Sequence, residues 1–498
     1  MLILLGIRHV YAQDSVVYEP SGLELEQTMR LFQLQNEFYE SPALKPHQHT
    51  FSYSQIFGQY NDQQNDLYIY QLGNGQKSWQ ILSESYQKPG KDQALWGKAY
   101  YANKKLLGIN YNESLDYEII YPYVMADTIG GDLQSETYFF EGGYANRWKT
   151  LTYGFSGGFR GVQAYRDHDP RPKNTVSDLY LKMSVGKMLS PIYEISVDLT
   201  GGLYKQRNQL TFVNELGAPY ISQEAGFGVY NNLISGSNNT AYINGQRIRS
   251  QLNIVPVTKN GLAMQLAIED FSFHKQLSSI VDNIADANEK KLYAAIGYLR
   301  QSDQNHSLIQ FVFEHNRREG VEAKFSNSGN STSITKIAED LRFLNRGLIA
   351  CLNAGYGTLH PHTAWTISAN VAYKQNEATY ADPNRRIDVS NVSASLEIGG
   401  LHHYHKTTVN AVLSIQKNSN LSEQYQWEQV KTGSGVEKML QSTYTYLSAN
   451  YWKLEASFGA FHPLTYKLKG FIKLAGDYTR YAHPFNGHQL ILSAGCIF

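Results

Sequence analysis

The feature that most constrains this chain is a period of two, sustained over stretches longer than the five or six residues of an ordinary globular strand. Tyr193, Ile195, Val197 and Leu199 form one apolar row, and Glu194, Ser196, Asp198 and Thr200 form the opposite polar row. The pattern returns at Leu262, Met264, Leu266 and Ile268 against Gln265 and Glu269, and at Trp365, Ile367, Ala369, Val371 and Tyr373 against Ser368, Asn370 and Lys374. Further copies are Val392, Ala394, Leu396 and Ile398 against Ser393, Ser395 and Glu397; Val409, Ala411, Leu413 and Ile415 against Asn410, Ser414 and Gln416; and Leu468, Ile472 and Leu474 against Lys467, Lys469, Lys473 and Asp477. A wall with hydrocarbon on one side and water on the other requires this separation.

The connections alternate as well. Short links fall near Gln87–Gln93, Ala145–Trp148, Leu189–Ile192, Thr258–Gly261, Gln301–Asn305, Leu359–His362, His402–His405 and Phe461–Thr465. Longer ones lie between them, the largest at Lys105–Ser135, Arg207–Gly245, Gly320–Ile337 and Asn418–Lys438, rich in Gly, Asn, Ser or charge. Short turns on one side and long loops on the other describe an all-β, antiparallel up-and-down transmembrane barrel of about 18 strands, an even number that returns the chain to its starting side. The least determined stretch is Leu67–Tyr86, where Gly73-Asn74-Gly75 is a candidate internal hairpin turn.

Composition fits a barrel better than its bulk polarity suggests. Mean hydropathy is −0.41, yet only alternate residues of a barrel strand meet lipid, so low hydropathy and a membrane are compatible. The 37 tyrosines, against 21 Phe and 6 Trp, suit membrane–water interfaces, where one end of the ring is wet. Lys plus Arg and Asp plus Glu each total 44, leaving no basic excess of the kind nucleic acid attracts. The two cysteines, Cys351 and Cys496, are far apart and each lies inside a strand pattern, so two free, buried thiols are expected and no disulfide framework.

The chain divides into three parts. Residues 1–12 read as a signal peptide, with an apolar Met1–Val10 stretch and small residues Val10 and Ala12 as a cleavage signal, although Arg8 interrupts the apolar run. Residues 13–49 form an N-terminal periplasmic or plug segment, where Leu25, Met29 and Phe32 follow helical spacing. Residues 50–498 form the barrel. Its final strand alternates Leu490, Leu492, Ala494, Cys496 and Phe498 with Ile491, Ser493, Gly495 and Ile497, and a chain ending on Phe498 resembles the signal read by the outer-membrane assembly machinery.

The blocks Tyr117–Asp132 (YEIIYPYVMADTIGGD), Asp169–Leu179 (DPRPKNTVSDL) and Ser41–Pro46 (SPALKP) resemble an uncharacterised outer-membrane β-barrel family of Bacteroidota. That resemblance implies location in the outer membrane of a Gram-negative bacterium and, as a partner, an energy-coupled (TonB-dependent) receptor. It carries over no catalytic residue.

Three clusters invite chemistry. His47, His49, His360, His362, His402, His403 and His405 gather at turns, but without a carboxylate or Cys at fixed spacing they are read as tolerated polar residues, and no metal or other cofactor is expected. Asp167, His168, Asp169, Arg171 and Lys173 crowd one loop, read as ion pairing that fixes the loop. Gly154–Gly161 (GFSGGFRG) lies within strand pattern and lacks the helix a phosphate cradle needs, so its glycines are read as sites of bending or close packing. The expected function is a channel or substrate-specific transporter for small polar solutes, with Glu194, Asp198, Glu397, Lys467, Lys469, Lys473 and Asp477 lining the lumen. The alternative is a non-conducting binding or scaffold barrel that displays its long loops to a receptor. No catalytic residues are assigned, and the chain is expected not to be an enzyme.

Overall fold

A sheet with one apolar face and unpaired edges is stable in a membrane only when it closes on itself. The computed structural model, described for residues 20–214, 220–236, 240–280, 282–327, 334–360, 362–465, 467–482 and 484–498, closes in this way. Its barrel strands are β1 (Tyr53–Asn65), β2 (Gly75–Gln87), β3 (Gln93–Ile109), β4 (Gly131–Trp148), β5 (Leu151–Tyr165), β6 (Arg171–Met188), β7 (Tyr193–Thr211), β8 (Thr240–Pro256), β9 (Gly261–Leu277), β10 (Ala285–Gln301), β11 (Asn305–Asn327), β12 (Ile334–His360), β13 (Thr363–Tyr380), β14 (Arg385–Tyr404), β15 (Thr407–Trp427), β16 (Tyr451–Pro463), β17 (Lys469–Tyr481) and β18 (Asn486–Ile497). Each pairs antiparallel with its chain neighbours, giving the 18-stranded sheet. β18 seals it against β1 from Gln55↔Ile497 to Asn65↔Gly487. Ser54 and Phe498 exchange backbone hydrogen bonds of 2.8 and 2.9 Å beyond the last ladder pair.

The outward rows carry exposed large apolar side chains on almost every strand, among them Leu181, Met183, Val197, Leu199, Leu266, Ile268, Ile367, Leu396, Leu413 and Leu474. A continuous apolar surface of this extent calls for lipid. Among the described residues no helix is long and apolar enough to cross a membrane.

The short turns lie at the end of the barrel where β1 starts and β18 finishes, here the terminal end; the long connections lie at the other, the loop end. Gly73-Asn74-Gly75 falls at the close of the β1–β2 connection, with β2 starting at Gly75, and leaves the strand count unchanged. Two predicted loops are corrected. Gly320–Ile337 is mostly strand, because β11 and β12 reach 23 and 27 residues and stand far taller than a membrane crossing of about 9–11 residues needs. Asn418–Lys438 contains the end of β15 and the start of a helix, α3 (Gly435–Leu447), whose Ser434 cap accepts from Glu437 N. The thiols of Cys351 and Cys496 are free but half-buried rather than buried.

The lumen is occupied from both ends. At the terminal end the chain from Pro20 to His47 forms α1 (Pro20–Thr28), α2 (Arg30–Glu37) and a 3₁₀ turn (Pro42–His47). The two helices are separated by Met29, which is extended (φ −110°, ψ 123°). The 3₁₀ turn contacts β3 to β7 and α2 contacts β11 to β13. Leu31, Leu34, Phe38, Tyr39 and Leu44 pack against Val255, Ala263, Ala295, Leu299 and Leu308 of the wall. Residues 1–12, read as a signal peptide, lie outside the described residues.

At the loop end the connections after β3, β7 and β15 fold together into a cap. Met125–Ala126 pairs with Ser222–Gly226, which pairs with Val229–Tyr230, and Met439 and Leu440 of α3 join the same apolar core. The wall there has changed character. Leu262, Met264, Leu266 and Ile268 face out, but three residues further on Phe271 and Phe273 are buried inward. Tyr204, Phe343, Tyr380, Ile387 and Val389 do likewise. The row of apolar residues therefore changes parity near the loop end, and an inner wall that is apolar must be covered.

Candidate functional site: the occupied lumen

Alternation fixes which residues of β7, β14 and β17 look inward, and five of the seven luminal candidates contact the N-terminal segment. Glu194 is fully buried; its Oε2 accepts from Arg147 Nη2 at 2.6 Å and lies 2.8 Å from His47 Nε2. Asp198 Oδ1 accepts from Ser41 Oγ at 2.5 Å and from Ser184 Oγ at 2.6 Å. Glu397 Oε1 accepts from the backbone N–H of Arg30 at 3.4 Å. Lys473 Nζ donates to Gln27 O at 2.9 Å, and Lys469 pairs with the buried Glu24. Asp477 faces inward but pairs instead with Lys453 of β16, at 3.4 Å. Lys467 is the exception in position: it sits exposed in the turn before β17, since the inward row begins only where the strand does.

Other wall groups complete the seat. Gln27 donates to Gln55 at 2.7 Å, Asn410 to Thr28 at 2.7 Å, and Tyr39 OH to the carbonyl of Pro256 at 2.5 Å. Lys259 in the β8–β9 turn donates to Asn36 Oδ1 and Gln48 O at 2.7 and 2.8 Å. Two glycines permit close approach: a Cβ on Gly154 would stand 2.5 Å from Pro42 C, and one on Gly297 would stand 2.7 Å from the Phe38 ring. The GFSGGFRG stretch thus lies in β5 and receives the 3₁₀ turn against its first glycine.

The cap is held by a different device: wall side chains donate to its backbone carbonyls. Lys275 donates to Val124 O at 3.0 Å, Arg318 to Glu118 O and Tyr121 O at 2.8 Å each, and Arg385 to Phe227 O at 2.6 Å. Gln206 reaches Leu115 O, and Asn174 reaches Glu113 O. Within the cap, Glu113 is fully buried and pairs with Arg166 at 2.8 Å; burial and the neighbouring Asp127 push its carboxyl well up, against the pull of Arg166. Burial likewise pushes Glu224 up to about 7, with Ser222, Lys275 and Arg385 pulling the other way. In the loop before β6, Asp169 pairs with Arg171 at 2.9 Å and accepts from Val213 N and Asn214 N at 2.8 and 2.7 Å. Those contacts tie one connection to the next.

The histidines fall in separate places, with His360, His362, His403 and His405 lining one pocket beside Glu24. His47 meets Glu194, His49 pairs with Glu26 at 2.8 Å, and His362 stacks on His403 with ring centroids 6.4 Å apart. Among the described residues no group of three or more His, Cys, Asp or Glu side chains is disposed to hold a metal.

Sequence reasoning missed the cap and the partners of the luminal charges. The parity change, such as Ile268 followed by Phe271, was the available signal for the cap. No local signal marks the partner of Glu194, which is 147 residues away in sequence.

A family model described as a family of unknown function (DUF6850) matches residues 42–498. No curated protein matches the sequence. Among solved structures, the chain is similar to the ferric preacinetobactin receptor BauA from Acinetobacter baumannii (8% identity, 90% of this chain and 80% of that one, TM-score 0.40). It is also similar to the copper transporter OprC (8%, 89% and 81%, 0.39) and to the siderophore receptor PiuA from Acinetobacter baumannii (8%, 89% and 82%, 0.41).

Proposed function

The chain belongs to that family of unknown function, and from this premise we infer that it is an outer-membrane transport barrel for small polar solutes, closed at rest. The observation that carries this reading is the seat of the N-terminal segment: Glu194, Asp198, Glu397, Lys469 and Lys473 of the wall meet it through hydrogen bonds and ion pairs. Polar contacts of this kind can be exchanged for water, while release also separates Leu31, Leu34, Phe38, Tyr39 and Leu44 from the apolar wall and so needs the work of an energy-coupled partner. Once it leaves, the same side chains line a wet passage carrying both signs of charge.

The terminal end is then periplasmic and the loop end faces outside, in the outer membrane of a Gram-negative bacterium. β18, which closes the barrel against β1, is the strand proposed to engage the outer-membrane assembly machinery. An energy-coupled receptor remains the proposed partner.

A second reading has its own observation. The cap forms an apolar core with Phe271, Phe273, Phe343 and Tyr380 of the wall, and a core of this kind supports a non-conducting barrel that presents its loops to a partner. Planar-bilayer recording separates the two. The transport reading expects a silent full-length protein and open-channel steps after deletion of residues 20–48; a deleted barrel that stays silent while remaining folded sinks it. Neither reading includes catalysis, and turnover in a lipid- or peptide-hydrolysis screen would overturn that part.

A further inference from the structure

Between the cap and the wall of β10–β13 lies a cavity of about 370 Å³, within the size range of small-molecule sites. Its wall side is built of amides. Asn316 of β11 and Asn376 of β13 both register with Gly347 of β12, and a Cβ on Gly347 would stand 2.0 Å from Asn316 Oδ1. The carboxamide of Asn316 therefore lies over the glycine, in the space that a side chain at 347 would take. Two residues along β12, Asn345 adds a third amide, whose buried Oδ1 has no hydrogen-bond partner. The cap side presents Tyr117, Tyr121, Phe227 and Met439 with the carboxyl groups of Glu118 and Glu224 among them, the two tyrosine rings 5.1 Å apart.

Charges on the wall side are matched among themselves. Glu289 pairs with Arg318 at 2.8 Å and with Lys291 at 3.6 Å, and accepts from Asn316 Nδ2 at 3.2 Å.

We propose that this cavity binds a small, uncharged, polyhydroxylated molecule of the mono- or disaccharide class. Each carboxamide offers two donors and two acceptor lone pairs, the pairing that vicinal hydroxyls require. The rings and Met439 offer a surface for the C–H face of a sugar. An anionic ligand meets Glu118, Glu224 and Glu289 with both wall cations already paired, a cationic one meets Arg318 and Lys291, and a lipid tail would leave the buried Asn345 Oδ1 without a partner, which is costly. The inference rests on the transport reading only for the ligand's role as solute, and names the class of that solute.

The experiment is calorimetric titration of the detergent-solubilised full-length protein with glucose, N-acetylglucosamine and maltose, alongside glucuronate and glucosamine as charged probes of similar size. The expected result is saturable binding of at least one neutral sugar, tighter than either charged probe, and weakened roughly tenfold or more by Asn345→Leu and by Asn376→Leu, each removing hydrogen bonds to the ligand. Heat-modifiable migration of each variant shows that the barrel is folded, and the isosteric Asn376→Asp supplies a second variant that keeps the shape of the site. No saturable binding of any neutral sugar, tighter binding of a charged probe, or unchanged affinity in folded variants overturns the proposal. A protein that binds sugar but stays silent after deletion of residues 20–48 keeps this site and loses the transport reading; one that conducts and binds no sugar does the reverse.

Discussion

His47 Nε2 lies 2.8 Å from Glu194 Oε2, joining the N-terminal segment to the inner wall of β7 at a point where the carboxylate is fully buried. Arg147 donates to the same oxygen at 2.6 Å and contacts His47 at 2.5 Å, so three groups from distant parts of the chain meet at one place. The barrel ladder does not depend on this contact, but the seat of the segment does.

Replacing Glu194 with Gln is therefore expected to loosen the segment and spare the barrel. Removing a buried charged acceptor costs about 1.5–3 kcal/mol. Hydrogen exchange should show residues 41–48 losing about that much protection while the amides of β6 and β7 keep theirs. Equal loss in segment and strands would mean that the contact supports the wall instead.

Gly154→Val tests the seat by shape. An added Cβ would stand 2.5 Å from Pro42 C, and overpacking of this kind costs about 1–3 kcal/mol. Because backbone rather than a flexible side chain is met, the 3₁₀ turn must shift. Limited proteolysis should cleave between residues 41 and 48 in the variant and leave the wild type intact there; identical digestion patterns would refute the close approach.

Charge reversal separates seat from passage. In the full-length protein Lys469→Glu sets a second carboxylate against Glu24, and bilayer recordings should gain transient openings absent from the wild type. In the barrel lacking residues 20–48, Lys469→Glu with Lys473→Glu should move the reversal potential toward cation selectivity. A potential that does not change would remove both lysines from the passage.

The cap should loosen as pH rises. Burial holds the Glu224 carboxyl near 7, against an ordinary value of 4.5, so between those values the seated loop binds a proton that the released loop does not. Seating is then strongest below about pH 4.5 and declines as pH rises through 7. Lys275, Arg385 and Ser222 face this group and limit the effect, while Tyr117 and Tyr121 lie near it. Amide exchange of residues 222–226, corrected for its intrinsic pH dependence, should quicken over that range, and Glu224→Gln should flatten the response. A Gln variant with the wild-type slope would assign the titration to another group.

Legibility differed between wall and filling. The inward placement of Glu194, Asp198 and Glu397 was readable because side chains alternate across a strand and Val197, Leu199 and Leu396 mark the outward row. The turn at Gln301–Asn305 was readable because polar residues interrupt the apolar rows on both sides. Lys467 was misplaced because alternation cannot say where a strand begins. The helix Gly435–Leu447 was missed because its polar lead-in, Lys431-Thr432-Gly433-Ser434, looks like any loop.

The sequence by itself determined a closed antiparallel wall, its strand number, and the side that mid-strand residues such as Glu194, Asp198 and Glu397 face, because a period of two is local and every strand repeats it. Only the tertiary structure decided what fills the wall. Glu194 with His47, Lys469 with Glu24, and Arg318 with Glu118 and Tyr121 are separated by 147, 445, 200 and 197 residues, and such pairings exist only once the closed barrel brings inward rows and luminal chain within hydrogen-bonding distance.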